Sequence, residues 1–256
     1  MKIPHIYFKH PPRFICITTM TDPYSDMKDS NWQELTGCQG LKDWQVADPD
    51  GEGTADWFTC AAVKLAPDNP LLLQAHSGKD ESLIVNGLTG KTENIVSVPE
   101  YGDIEIHIEF LVAKNSNSGI YFMGRYEIQV LDSWGKEQFG DRDCGAIYQR
   151  WDPDRGEGKE GYEGHAPRVN ASRRPGEWQT FDVIFRAPRF NKDGEKTNCA
   201  TFERIVQNGI VIHENVQLNG PTRAGISNTE KETGPIMLQG DHGPVAYRNI
   251  RVRRLI

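Results

Sequence analysis

From Ile104 the chain reads Ile-Glu-Ile-His-Ile-Glu-Phe, one apolar and one polar residue in strict turn. Only an extended strand, whose side chains point alternately to opposite faces, turns that order into one buried and one wet surface. Many other runs of about five to eight residues alternate or are rich in β-branched and aromatic types, and none places apolar residues at i, i+3, i+4 and i+7 over several turns. Strands are predicted over 104–112, 119–123, 126–131, 145–149, 178–186, 202–206, 210–214 and 247–253. Between two of these, Gln207-Asn208-Gly209 predicts a tight type I′ hairpin, because Asn-Gly supplies positive φ at both central positions. Strands at this spacing, punctuated by Gly and Pro, predict an all-β sandwich or jelly roll of antiparallel sheets.

A chain of 256 residues can bury a full core without dividing. Residues 1–34, carrying Pro4, Pro11, Pro12 and Pro23, are expected to form an irregular arm, and residues 35–256 a single domain. The segment 151–175 is polar and glycine-rich, with Gly156, Gly158, Gly161 and Gly164. A loop that long is either a rim or lid over a site or a disordered connection.

The net charge is −7, with lysine and arginine scattered singly, which argues against nucleic acid as a partner. Arg251, Arg253 and Arg254 read as the solvated face of a terminal strand. The five cysteines, Cys16, Cys38, Cys60, Cys144 and Cys199, contain no Cys-x-x-Cys pair and give no disulfide framework. Cys144 reads as a small buried apolar residue rather than a nucleophile. The apolar run 14–20 is broken by threonines and too short for a signal-peptide core or a membrane span, so a soluble protein without a membrane partner is expected.

The chemistry concentrates on one strand. In Tyr126-Glu127-Ile128-Gln129-Val130-Leu131, alternation sends Tyr126, Ile128 and Val130 to the core and Glu127 and Gln129 together into a cleft, with Trp134 just beyond. An acid beside an amide and an aromatic suits a neutral, hydroxyl-rich ligand such as a sugar. A carboxylate inside so apolar a strand is costly without a purpose, unless Arg125 or Arg150 pairs with it for structure. Further polar side chains expected on the cleft are Glu105, His107, Glu109, Arg125, Asp132, Tyr148, Asp241 and His242. Glu105, His107 and Glu109 have a spacing that could present a divalent cation with ligands, and equally that of a solvent face. Asn170-Ala171-Ser172 fits a glycosylation sequon.

Several segments, in order, resemble the bacterial family named for its 3-keto-disaccharide hydrolase domain. They include Leu41-Lys42-Asp43-Trp44, Tyr101-Gly102-Asp103-Ile104-Glu105, Asn117-Ser118-Gly119-Ile120-Tyr121, Gly124 through Ser133, and Asp143-Cys144-Gly145-Ala146-Ile147-Tyr148. Later come Pro175-Gly176-Glu177-Trp178, Gly220-Pro221-Thr222 and Gln239-Gly240-Asp241-His242-Gly243. The resemblance implies a concanavalin-A-like jelly roll and action on glycosides whose C3 hydroxyl has become a ketone. It is compatible with a bacterial periplasmic or secreted protein working beside a sugar 3-dehydrogenase.

A 3-keto sugar has an acidic C2 proton, so a base can form an enolate that expels the C1 substituent, after which water adds to the enone. Glu127 and His242 are the candidates for sharing these proton transfers, with Arg125, Gln129, Asp132, Trp134, Tyr148 and Asp241 positioning the sugar. A divalent metal at the ketone oxygen is a further option without an assigned ligand set. Two alternatives stay open: a retaining glycoside hydrolase on the same fold, which needs two carboxyls about 5 Å apart, and a non-catalytic carbohydrate-binding module.

Overall fold

The computed structural model describes residues 31–37, 40–47 and 55–256. The run 14–20, Cys16, Cys38 and the expected arm as far as Ser30 lie outside them. Gln33 and Glu34, assigned to that arm from sequence, instead pair with Val252 and Arg251 as a short strand of the main body.

The described chain is all-β. Its helical content is a single 3-10 turn, Pro153–Arg155, and no helix is long and apolar enough to cross a membrane. Two antiparallel sheets form a sandwich. The larger runs, edge to edge, Ile210–Leu218, Ala200–Gln207, Gln179–Arg186, Ile104–Val112, Val245–Arg254, Leu83–Val85 and Phe58–Cys60. The smaller runs Tyr126–Leu131, Asn117–Phe122, Gly234–Leu238, Ile95–Tyr101 and Trp44–Val46.

Alternation decides what lies between them. Ile104, Ile106, Ile108 and Phe110 of the larger sheet and Ile120, Phe122, Tyr126, Ile128 and Val130 of the smaller are all buried in one apolar cluster. Phe122 and Tyr126 reach across to Phe185 and Phe202, with centroids 5.0 to 5.5 Å apart for the pairs Phe122–Phe202 and Tyr126–Phe185. Such offset and edge-on aromatic contacts add about 1 kcal/mol each beyond burial, and they fix the hairpin carrying Glu127 against the opposite sheet. The turn after Gln207 is as expected, with φ of 51° at Asn208 and 81° at Gly209.

The strand assignments made from sequence need correction. The predicted strand 145–149 is an irregular segment lying along the edge of Tyr126–Leu131. Gln129 donates to Ala146 O (2.9 Å) and accepts from Gly145 N (2.8 Å), so two residues oppose one, and Gly145 has a φ of 82°. That is bulge geometry, which breaks a regular ladder. Gly234–Leu238 and Ile95–Tyr101 were not anticipated: the first is buried throughout and does not alternate, and Pro99 interrupts the second.

Glu105, His107 and Glu109 are on the wrong sheet for the cleft. They belong to the outer face of the larger sheet, where Glu105 pairs with Arg253 and Glu109 with Arg248 at 2.7 Å. His107 Nδ1 meets Asp182 Oδ1 at 2.6 Å. These carboxylates are occupied by arginines, and among the described residues no group of three His, Cys, Asp or Glu side chains is placed to hold a metal ion.

Candidate active site

The pocket is built on the outward face of the smaller sheet. In the hairpin register Glu127 stands opposite Tyr121 and Gln129 opposite Gly119, so these positions share one face. Gly119 is required there: a Cβ would come within 2.3 Å of Glu127 Oε1. Asn117, Tyr121, Glu127, Gln129, Tyr148 and His242 line a cavity of about 220 Å³, completed by Arg223, Ala224 and Gln239.

Glu127 is buried at 3% exposure. Its main chain is fastened on the outer edge: its N–H donates to Thr222 Oγ1 (3.0 Å) and its carbonyl accepts from Tyr148 N (3.0 Å). Loss of water around the carboxyl pushes its pKa up to about 8; the Tyr121 hydroxyl, which donates to it, offsets part of that rise, and the Asp241 charge adds to it. Burial drives the Tyr121 phenol well above its ordinary value, so it remains a hydrogen-bond donor. Neither arginine suggested as a structural partner reaches Glu127. Arg150 pairs with Glu163 at 3.0 Å, and Arg125 donates to the carbonyls of Met123 and Thr229, both at 2.7 Å.

His242 comes in from the loop after Gly234–Leu238. Buried Asn86 clamps that loop, donating to Gly240 O (2.9 Å) and Gly243 O (2.8 Å) and accepting from Val245 N (2.8 Å). Gly240 and Gly243 are tightly enclosed, since a Cβ would lie 2.5 Å from Glu93 O at the first and 2.7 Å from Ser116 Oγ at the second. His242 Nδ1 lies 2.5 Å from Asp241 Oδ1. With Nδ1–H donating to that carboxylate, Nε2 is the acceptor. Around these groups stand neutral hydrogen-bonding side chains: Gln129, whose Nε2 also donates to Arg142 O at 3.3 Å, Tyr148, Gln239, and Asn117, whose Oδ1 is buried without a protein partner among the described residues.

Not every expected residue gathers there. Arg125 is buried away from the cavity in a main-chain clamp, because it sits in the tight turn after Phe122 and not within the alternating strand. Asp132 accepts from Asn115 N (2.9 Å) and fastens the turn that precedes Asn117–Phe122. Trp134 is 49% exposed with the Arg174 guanidinium over its ring at 4.9 Å, and is not among the residues lining this cavity. Asp241 stands on the rim behind His242, its side chain half exposed. Cys144 is fully buried and its thiol pushed up to about 11 by burial, the state of an inert core residue. Tyr121, Asn117, Arg223 and Gln239 were missed from sequence. The first two were readable once the turn at Met123-Gly124 fixed the hairpin register; the others sit on loops whose path no local pattern encodes.

The cavity adjoins a larger trough of about 470 Å³, which shares Arg223 and Ala224 with it and has Arg150, Trp151, Asp152 and Tyr162 among its walls. The long segment after Arg150 is therefore a rim: Arg150–Trp151 pairs with Gly161–Tyr162 as a small hairpin.

A family described as the 3-keto-alpha-glucoside-1,2-lyase-like domain matches residues 31–253. The chain is 28% identical to a presumed glycosyl hydrolase from Parabacteroides distasonis of known crystal structure, with 88% of this chain and 84% of that one covered and a TM-score of 0.64. Two further presumed glycosyl hydrolases of that organism, 17% and 18% identical and each with a TM-score of 0.52, share the fold; 90% and 88% of this chain and 96% and 99% of theirs are covered. No curated protein is significantly similar to the chain.

Proposed function

The chain belongs to the 3-keto-alpha-glucoside-1,2-lyase-like family, and from that premise we propose that it cleaves glycosides of 3-keto sugars by proton abstraction at C2 and elimination of the C1 substituent. The observation that carries this reading is the pairing, around one sugar-sized pocket, of a buried carboxyl held protonated near neutral pH with a histidine whose Nδ1 is tied to a carboxylate.

The two groups divide the work. His242 Nε2 removes the C2 proton; the C–H pair becomes the C2–C3 π bond and the carbonyl pair moves to oxygen. As the enolate collapses, the C1–O bond breaks and Glu127, as the acid, protonates the leaving oxygen. Gln129, Asn117 and Tyr148 hold the remaining hydroxyls. Water then adds to the enone, returning a free 3-keto sugar. The ketone itself must be supplied by an oxidoreductase acting at C3.

A retaining glycosidase is less well supported, because it needs two carboxyls across the bond, and Glu127 is the sole carboxylate among the residues lining the cavity. A binding module has no use for a carboxyl perturbed in this way.

The test uses a glucoside and its 3-keto derivative, each with and without chelator. Release of the leaving group from the keto substrate alone, slowed by deuterium at C2 and accompanied by deuterium uptake at C2 in heavy water, is expected. Comparable cleavage of the plain glucoside without exchange would promote direct displacement at C1.

A further inference from the structure

The two adjoining cavities are lined by different chemistry. The one around Glu127 offers neutral donors and acceptors (Asn117, Gln129, Gln239, Tyr148), which suits sugar hydroxyls. The trough offers guanidinium groups set against aromatic faces. Arg223 lies 3.6 Å over the Trp151 ring, while Arg150 lies 5.0 Å over Tyr162.

These cations are not equivalent. Arg150 is paired with Glu163 at 3.0 Å. Asp152, the acid in the trough lining, accepts from Asp154 N at 3.0 Å. Arg223 has no carboxylate within ion-pair distance among the described residues, and its side-chain contact is the Trp151 ring. Its backbone is held firmly: Arg223 N donates to Gln149 O (2.9 Å), the preceding Thr222 N to Arg125 O (2.9 Å), and Ile226 N to Gly124 O (2.8 Å). Stacking fixes the plane of a guanidinium and leaves its N–H edge directed outward, the arrangement that binds a carboxylate through two parallel hydrogen bonds.

The geometry points to the trough as the binding site for the leaving group, and to a leaving group that carries a carboxylate, received by Arg223 with Trp151 holding the guanidinium in plane. This deepens the proposed reaction and rests on it for the word "leaving"; the preference for an anion stands on the trough's own lining.

Two 3-keto glucosides that differ in the leaving group, 4-hydroxybenzoate or 4-hydroxybenzyl alcohol, separate the possibilities. The wild-type protein is expected to favour the carboxylate by about tenfold or more in kcat/KM, the scale of one charge-assisted hydrogen bond, and added salt should erode the ratio. In Arg223→Gln the ratio should fall to about one, and in Arg223→Lys, which keeps charge without the planar fork, to an intermediate value. Calorimetry with the free phenols supplies a readout independent of turnover: 4-hydroxybenzoate should bind more tightly than 4-hydroxybenzyl alcohol, with the difference lost in Arg223→Gln. Equal kcat/KM and equal binding of the two compounds by the wild type would overturn the proposal while leaving keto-dependent cleavage intact. Selective binding of the carboxylate without release from either keto substrate would instead remove the reaction and leave the anion site.

Discussion

At the scale of single residues, Glu127 carries the sharpest consequences. Its folded pKa of about 8 lies above the ordinary 4.5 because burial disfavours the charge. As the proposed acid in cleavage it must be protonated, so kcat/KM on a 3-keto glycoside should decline as pH rises through about 8. Glu127→Gln should lower turnover about 10²-fold, and more for alkyl than for aryl leaving groups, since a poor leaving oxygen depends most on protonation; uniform losses across a leaving-group series would move Glu127 away from that role. Stability must follow the same proton. A raised folded pKa contributes stability that is fully present below 4.5 and is lost as pH rises through 8. Relative to the wild type, Glu127→Gln should therefore gain in melting temperature between about pH 5 and 9, and scanning calorimetry across that range is the check.

At the scale of elements, the site depends on how a strand and a loop are held together. Asn86 meets three main-chain groups of the loop bearing His242. Asn86→Ala would leave them buried and unpaired, at about 1 to 3 kcal/mol for each group that water cannot reach. A lowered melting temperature is expected together with a fall in kcat larger than any rise in KM, because His242, the proposed base, loses its position while the sheet floor of the pocket stays in place. What was legible in the sequence follows the same division. The floor of the pocket could be read from Tyr126–Leu131, since period-two alternation assigns Glu127 and Gln129 to one face whatever surrounds them. Strands with that signal, such as Ile104–Val112 and Gln179–Arg186, were found almost to the residue. Gly234–Leu238, covered on both faces, shows no alternation. Arg125 was misplaced because periodicity was carried one residue past the strand into its turn, and Arg223 was invisible because nothing local announces a loop that returns across more than 70 residues of sequence to meet Gln149.

For the whole molecule, several buried titrations act together. His107 on the outer face of the larger sheet is held protonated to about pH 9: burial opposes its charge, but hydrogen bonds to Asp182 and Glu109 outweigh it. That stability is present below 6.5 and lost as pH rises through 9. In the other direction, Glu109 is depressed to about 2, burial being outweighed by bonds from His107, Asn249 and Arg248, so its contribution is present above 4.5 and lost as pH falls through 2. His213, buried and held neutral to about pH 4, destabilises the fold progressively as pH drops from 6.5. Urea midpoints should accordingly peak at about pH 6 and fall on both sides; a midpoint that keeps rising to pH 9 would mean the alkaline losses at Glu127 and His107 are not there. The same architecture separates two duties. Glu127 projects from a sheet whose other face is locked to the core, whereas Trp151 and Arg223 ride on connecting segments outside both sheets. Loops tolerate insertion and exchange far better than the strands they join. Lineages built on this plan can rework the trough lining while the strand that presents Glu127 stays as it is.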